Sequence, residues 1–387
     1  MKKFKTLALT AGLISISIIF TACSEPVKVK ENKKYISNDE IEALDIKGYY
    51  YSQLSDSEKR VYETLLKALR EYKMETTFAP VSVNEFYRAD YAIANDYTQF
   101  YWSGNYTAQE TQGSVNSIRY DITDDIKETD KKIEESVDKI LSGIDPKATD
   151  YEKVKYFYET IVNTVDYEEN DNDQDIRSVF LDRKSVCAGY SKAFLYLCQR
   201  VDIPCIYVEG EVNDKELHAW NEVKLGGEYY GVDVTWGDPV FEDKGSQWSA
   251  SQPISYTYLN VTDKDMFKTH KVDCVIEDIS KTEQQFTYPA CTAVEYNYYV
   301  QEGAFFKEYD RKKVGKYLGR KFADEGARSV EIKFSDPDSF NKALSDLFDE
   351  KNASIYTVLD EYYGGFANVE VSYVTDKDTN VIGISIK

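Results

Sequence analysis

Three short segments in the middle of the chain constrain its fold more than anything else in the sequence. They read VCAGYSKAF around Cys187, LHAWNEV around His218 and YYGVDVTWGDP around Asp233. Ser185 is placed to cap a helix with Cys187 in its first turn. Tyr190, Phe194, Leu197, Cys198 and Val201 follow at helical spacing, so that helix buries one face. Residues 218–225 and 228–236 are rich in strand formers and flank Gly226-Gly227, which predicts a hairpin. A symmetric loop over 224–227 would set His218 directly opposite Asp233 on one face, with Cβ atoms about 5 Å apart. Slipping that register by one residue would separate the pair. The expected core is therefore α+β, a Cys-bearing helix packed on an antiparallel sheet that bears His and Asp.

Those three side chains suit one chemistry. A thiol nucleophile needs a base to take its proton and a carboxylate to fix the base's tautomer and orientation. A thiol at a helix N-terminus also sits at the positive end of the macrodipole, which favours thiolate. Backbone N–H groups there suit an oxyanion. The chain has two histidines, and the other, His270 in KDMFKTHKVD, lies in a polar stretch and reads as a surface residue whose loss should do little. Trp220 and Trp236 flank the site and are candidates to wall a substrate cleft, though core packing explains them equally well.

The segments VCAGYSKAFLYLC, IPCIYVEGEV and LHAWNEVKLGGEYYGVDVTWGDP, with the preceding DYEKVKYFYETIVNTVDY, resemble the transglutaminase-like superfamily. The resemblance covers about 90 residues and implies a papain-like core. It puts the nucleophile on Cys187, the base on His218 and the orienting acid on Asp233, with no metal or cofactor. The family spans protein cross-linkers, peptidases, amidases and members without activity. It therefore implies the site more closely than the reaction.

The N-terminus adds a location. Lys2, Lys3 and Lys5 precede an apolar run over 7–20, then Thr21-Ala22-Cys23-Ser24. This pattern describes a secretory signal, too short for a stable membrane span. The cysteine after Ala22 is similar to a bacterial lipoprotein junction, with cleavage before Cys23 and lipid on its thiol. The expected location is the extracytoplasmic face of the cell membrane. Losing residues 1–22 removes three lysines and takes the formal charge from −21 to −24. A chain this acidic is a poor partner for nucleic acid. Its expected partners are a peptide or protein substrate at the cell surface and the membrane through the N-terminal lipid.

Six cysteines are present. With Cys23 assigned to lipid and Cys187 to chemistry, four remain, and an exported protein permits two disulfides among them. Cys274–Cys291 is the favoured bridge, because both lie in a loop-rich stretch. Cys198 and Cys205 fit buried free thiols as well as a bridge. A zinc site from Cys187, Cys198, Cys205 and His218 lacks close-paired ligand spacing.

Boundaries follow from composition and capping signals. Residues 1–22 read as the lipoprotein signal, 23–47 as a polar tether, and 48–145 as a mostly helical N-terminal region with some mixed α/β character. Residues 146–290 carry the core domain, and 291–387 read as an α/β sandwich. Capping boxes at Ser55-x-x-Glu58, Ser82-x-x-Glu85 and Thr149-x-x-Glu152 open three helices. A helix over 129–143 and a strand over 115–122 complete the N-terminal region. The C-terminal region is read as strand 294–300, helix 310–323, strand 329–334, helix 339–348 and strands 367–374 and 381–386. Asp171, Asp173 and Asp175 have the spacing of a calcium loop, but Ile176 stands where glycine is needed and Asp182 where glutamate is needed, so a solvated acidic loop is expected. The 33 tyrosines are read as core and strand-face packing. The resulting expectation is a lipid-anchored thiol enzyme acting on amide bonds, with hydrolysis favoured over amine transfer. The contrasting reading is a non-catalytic surface module that uses the fold for protein binding or envelope assembly.

Overall fold

A computed structural model describes residues 36–123, 125–213, 216–238, 254–273, 286–349, 353–363 and 369–386. The signal segment with Cys23, and Cys274, lie outside the described residues. Among the described residues no helix is long and apolar enough to cross a membrane. The chain divides into two compact units, neither a continuous stretch of sequence. The first takes residues up to Gly143 together with Glu168–Ala219 and Lys271–Pro289; the second takes Ile144–Tyr167, Trp220–His270 and Ala290–Lys387.

In the first unit, both sequence-marked capping boxes form as read. Ser55 and Glu58 cap helix Asp56–Arg70, and Ser82 and Glu85 cap helix Val83–Asp96. Each satisfies otherwise unpaired N–H groups of a first helical turn. Val61, Leu65, Leu66 and Leu69 of the first helix are buried. A three-stranded sheet, ordered Glu75–Ser82, Ser114–Tyr120, Tyr106–Thr111, packs with them. Helix Ile126–Leu141 buries Ile133, Val137 and Ile140 at helical spacing. Part of the segment read as a tether is folded: Ser37 and Glu40 cap a short helix, Asn38–Glu42. Glu40 pairs with Lys67, and Arg70 donates to the Leu44 carbonyl, so residues 38–47 are fastened to the domain rather than free of it. Helix Cys187–Arg200 and strand Cys205–Val212 complete this unit, the strand hydrogen-bonded between strands Glu216–Leu225 and His270–Val272.

The second unit opens on helix Asp150–Thr164, capped by Thr149 and Glu152. It buries Val154, Phe157, Tyr158 and Ile161. Strand Glu228–Val232 is hydrogen-bonded between Glu216–Leu225 and Leu259–Val261. The C-terminal part is a four-stranded sheet in the order Phe305–Phe306, Ser329–Phe334, Val381–Ile386, Val371–Asp376. The first pair runs parallel and the rest antiparallel. Helices Arg311–Gly319, Pro337–Phe348 and Ile355–Tyr363 accompany it. The expected strand over 294–300 is not formed. Asn297 accepts from the Tyr299 N–H and caps a one-turn helix, Tyr298–Gln301. A side-chain acceptor at the turn outweighs the strand propensity of its tyrosines. Tyr50, Tyr62, Tyr120, Tyr158, Tyr190, Tyr207, Tyr230 and Tyr299 are fully buried, as core packing requires.

Candidate functional site

Cys187 is the first residue of its helix and is buried with a free thiol. The helix is not capped by Ser185 as its sequence suggested. Val186 occupies the cap position in extended conformation with no side-chain hydrogen bond. Ser185 instead belongs to a short strand, and its hydroxyl meets Ser178 Oγ at 2.6 Å and donates to the Asp173 carbonyl at 3.1 Å. Those contacts pull the 173–185 loop onto the first turn of the helix. They also explain the glycine in C-A-G-Y: a Cβ on Gly189 would lie 2.0 Å from Ser185 Oγ, 2.5 Å from Ser178 Oγ and 2.8 Å from the Asp173 carbonyl.

The loop itself is more structured than a solvated acidic stretch. Arg177 pairs with the Asp175 carboxylate through Nε and Nη2, Asn172 Nδ2 donates to Asp182, and Asn170 Nδ2 donates to the Lys184 carbonyl. Residues 178–182 form a π-helical turn, with Ser178, Val179 and Phe180 buried. One helical turn beyond Cys187, Ser191 Oγ donates to the Ala219 carbonyl at 2.9 Å. Leu195, Tyr207 and Ala219 pack together, with Cys205 against them. Helix and strand are thereby joined at the residue next to His218, which is buried. Cys198 and Cys205 are both free thiols, and burial pushes the Cys198 thiol up.

The hairpin forms, with a different register from the one expected. Leu225 faces Glu228 and Asn221 faces Val232, so the loop is the two residues Gly226-Gly227. Their φ values, 59° and 97°, are those of a tight mirror-image turn that matches strand twist. The shift relative to the expected four-residue loop is two positions. The register ends at the Asn221–Val232 pair, one residue before Asp233.

Asp233 is held in detail. Its Oδ1 accepts from the N–H groups of Thr235 and Trp236 at 2.9 and 3.1 Å, and its own N–H donates to the Tyr258 carbonyl. Its Oδ2 lies 3.0 Å from Nε2 of His270, and both side chains are completely buried. His270 is therefore not a surface residue. Its Nδ1 lies 2.9 Å from Thr269 Oγ1, itself 2.8 Å from the Tyr258 hydroxyl. These contacts suit the tautomer with the proton on Nε2, donated to Asp233, while Nδ1 accepts from Thr269. The rings of Trp220, Trp236 and Tyr258 stand 4.8 to 5.1 Å from that of His270. Both tryptophans are buried, so they wall the imidazole rather than an open cleft. The sequence signal missed for His270 was its place in a three-residue strand between polar flanks, too short for periodicity to register. In the same motif, Gly237 is required because a Cβ there would lie 2.4 Å from the Tyr158 hydroxyl, which donates to the Ser255 carbonyl.

The favoured Cys274–Cys291 bridge has one end, Cys274, outside the described residues. Cys291 is a free, buried thiol, and its backbone N–H is hydrogen-bonded to Asp263 Oδ2. The carboxylate, and not a second sulfur, is its described neighbour.

Residues 138–234 match the model of the transglutaminase-like superfamily. The matched stretch includes Cys187, His218 and Asp233. No curated protein matches the chain. Among solved structures, the chain is similar to a TGase at 14% identity, covering 39% of this chain and 49% of that one, with a TM-score of 0.27. It is also similar to a candidate cysteine protease from Cytophaga hutchinsonii at 19% identity, covering 33% and 53%, with a TM-score of 0.24. A third likeness is to menin, whose structure reveals the binding site for Mixed Lineage Leukemia (MLL) protein, at 15% identity over 80% and 66%, with a TM-score of 0.25. The chain spans about half the length of the first two.

Proposed function

With a transglutaminase-like core over residues 138–234 as the premise, we propose that this chain is a cysteine-dependent enzyme acting on peptide or carboxamide bonds through an acyl-enzyme. The observation that carries the reading is the position of Cys187, a free buried thiol at the first residue of a helix, inside the matched segment. In this reading His218 takes the thiol proton as the sulfur attacks the carbonyl carbon. The tetrahedral oxyanion faces N–H groups at the helix start. Collapse returns the proton from His218 to the leaving amine and leaves a thioester on Cys187. Water then attacks, His218 again carrying the proton, and releases the acid with free thiol. Asp233 orients the imidazole and stabilises it while charged.

Hydrolysis is favoured over amine transfer, since no feature of the sequence marks a dedicated amine channel. The chain is further proposed to be exported and lipid-anchored through Cys23, on the grounds of its N-terminal residues. Iodoacetamide labelling followed by peptide mapping tests the nucleophile. Cys187 should alkylate fast at neutral pH, and His218→Ala should slow it sharply. Incubation with a glutamine peptide and a biotinylated amine tests the acceptor. Release of free acid should exceed amine incorporation, and both should vanish in Cys187→Ala. Slow labelling of Cys187 together with no turnover of either kind would defeat the enzyme reading.

A further inference from the structure

A second group of reactive side chains lies entirely within the second unit. One carboxylate oxygen of Glu222, one of Asp263 and Sγ of Cys291 all lie within 4.8 Å of one another. Glu222 sits on strand Glu216–Leu225 across from Gly231, which itself pairs with Val261. Asp263 follows two residues later, opening the turn Asp263–Met266. Cys291 is fastened to that turn by two backbone bonds: its N–H donates to Asp263 Oδ2 at 3.0 Å, and the Asp263 N–H donates to its carbonyl at 2.8 Å. The clasp is extended by Asn260 Nδ2 donating to the Tyr296 carbonyl and Asn297 Nδ2 donating to the Asn260 carbonyl. The three side chains are thus held by backbone that cannot easily separate.

The group is poorly satisfied by protein alone. Glu222 is 2% exposed and Cys291 1% exposed, and Oε2 of Glu222 is buried with no hydrogen-bond partner among the described residues. A buried polar atom left unpaired costs about 1–3 kcal/mol, and more if charged. Burial and the nearby Asp263 raise the Glu222 carboxyl to about 8, and burial with both carboxylates pushes the Cys291 thiol up.

We propose that Glu222, Asp263 and Cys291 form a site for one zinc-like divalent cation, distinct from the proposed catalytic residues. A thiolate with two carboxylates suits a borderline ion, whereas calcium and magnesium take oxygen ligands alone. Zinc–sulfur and zinc–oxygen bonds place ligand atoms roughly 3.5 Å apart around a tetrahedron, so the group needs only a modest contraction. Three protein ligands leave the fourth position to water. On binding, the Glu222 carboxyl and the Cys291 thiol each release one proton, and no electron moves. The ion would pin the segment after Ala290 to the sheet edge.

The test uses the full chain, stripped with a chelator and titrated with Zn²⁺ and, separately, with Co²⁺. One equivalent should bind, and the cobalt form should show thiolate charge-transfer absorption. Cys291→Ser should abolish that absorption, and both it and Glu222→Gln should weaken binding by about 100-fold. Glu222→Gln keeps the side chain's shape, so far-UV circular dichroism should match wild type and keep the test open if Cys291→Ser misfolds. Cys187→Ala should bind as wild type does. Absence of binding, persistence of the absorption in Cys291→Ser, or its loss in Cys187→Ala would each overturn the site.

Discussion

His270 changes what Asp233 can do. A buried carboxylate is tolerated when its oxygens are matched by donors, and here Oδ1 has two backbone N–H groups while Oδ2 has the His270 ring. Removing the ring would take a donor away from Oδ2 of a fully buried carboxylate. We therefore expect His270→Ala to destabilise the protein by about 2–4 kcal/mol in urea unfolding, with His270→Gln recovering part of the loss through its amide donor. The sequence reading that His270→Ala should do little is overturned if this loss is seen. Gly189 is the second residue whose role follows from close contact. Gly189→Ala forces its new methyl into Ser185, Ser178 and the Asp173 carbonyl, and should cost about 1–3 kcal/mol. Because that strain falls in the first turn of the helix, two residues from Cys187, alkylation of Cys187 should also change in rate, whereas Gly113→Ala, with open space around it among the described residues, should leave the rate alone.

At the scale of elements, the hairpin carries the most consequence. Its turn uses two glycines with positive φ, and the φ of 97° at Gly227 lies outside the range where other residues sit comfortably. Gly227→Ala meets no neighbour, so its cost is backbone strain alone, about 1–2 kcal/mol, read as a lower midpoint in urea with unchanged slope. At Gly226 the limit is different: a Cβ would lie 2.6 Å from the Tyr296 ring. Gly226→Ala should therefore cost more than Gly227→Ala. Reversal of that order would mean Tyr296 moves aside freely.

For the molecule as a whole, buried acids set the pH response. Burial raises Asp90 to about 7, Glu331 to about 7 and Glu222 to about 8. Each holds its proton more tightly folded than unfolded. Their stabilisation is complete below the unfolded values near pH 4 and is lost as pH rises through 7 to 8. The melting temperature, measured in chelator to exclude metal, should fall between about pH 5.5 and about pH 8, within that window. Glu331→Gln, which retains an acceptor for the Tyr256 N–H and Tyr299 hydroxyl, should flatten the fall. A melting temperature that rises over the same window would contradict the burial argument.

Local patterns in the sequence determined much of this protein. Capping boxes at Ser55, Ser82 and Thr149 started helices where they were read, because a cap depends on residues three apart and on nothing distant. Gly226-Gly227 marked the hairpin, and the apolar spacing after Cys187 marked its helix, for the same reason. What is decided only by tertiary structure is which polar groups become neighbours. The turn at Gly226-Gly227 uses two residues instead of four because its φ values fit strand twist, and that choice set Val232 opposite Asn221. Ser185 left its expected cap for contacts with Ser178 and Asp173, and Asn297 converted a strand-like run into a helical turn. His270 and Cys291 carried no periodic signal at all. Their roles come from burial against Asp233 and Asp263, carboxylates 37 and 28 residues away in the chain, and separation of that kind leaves no mark in a local pattern.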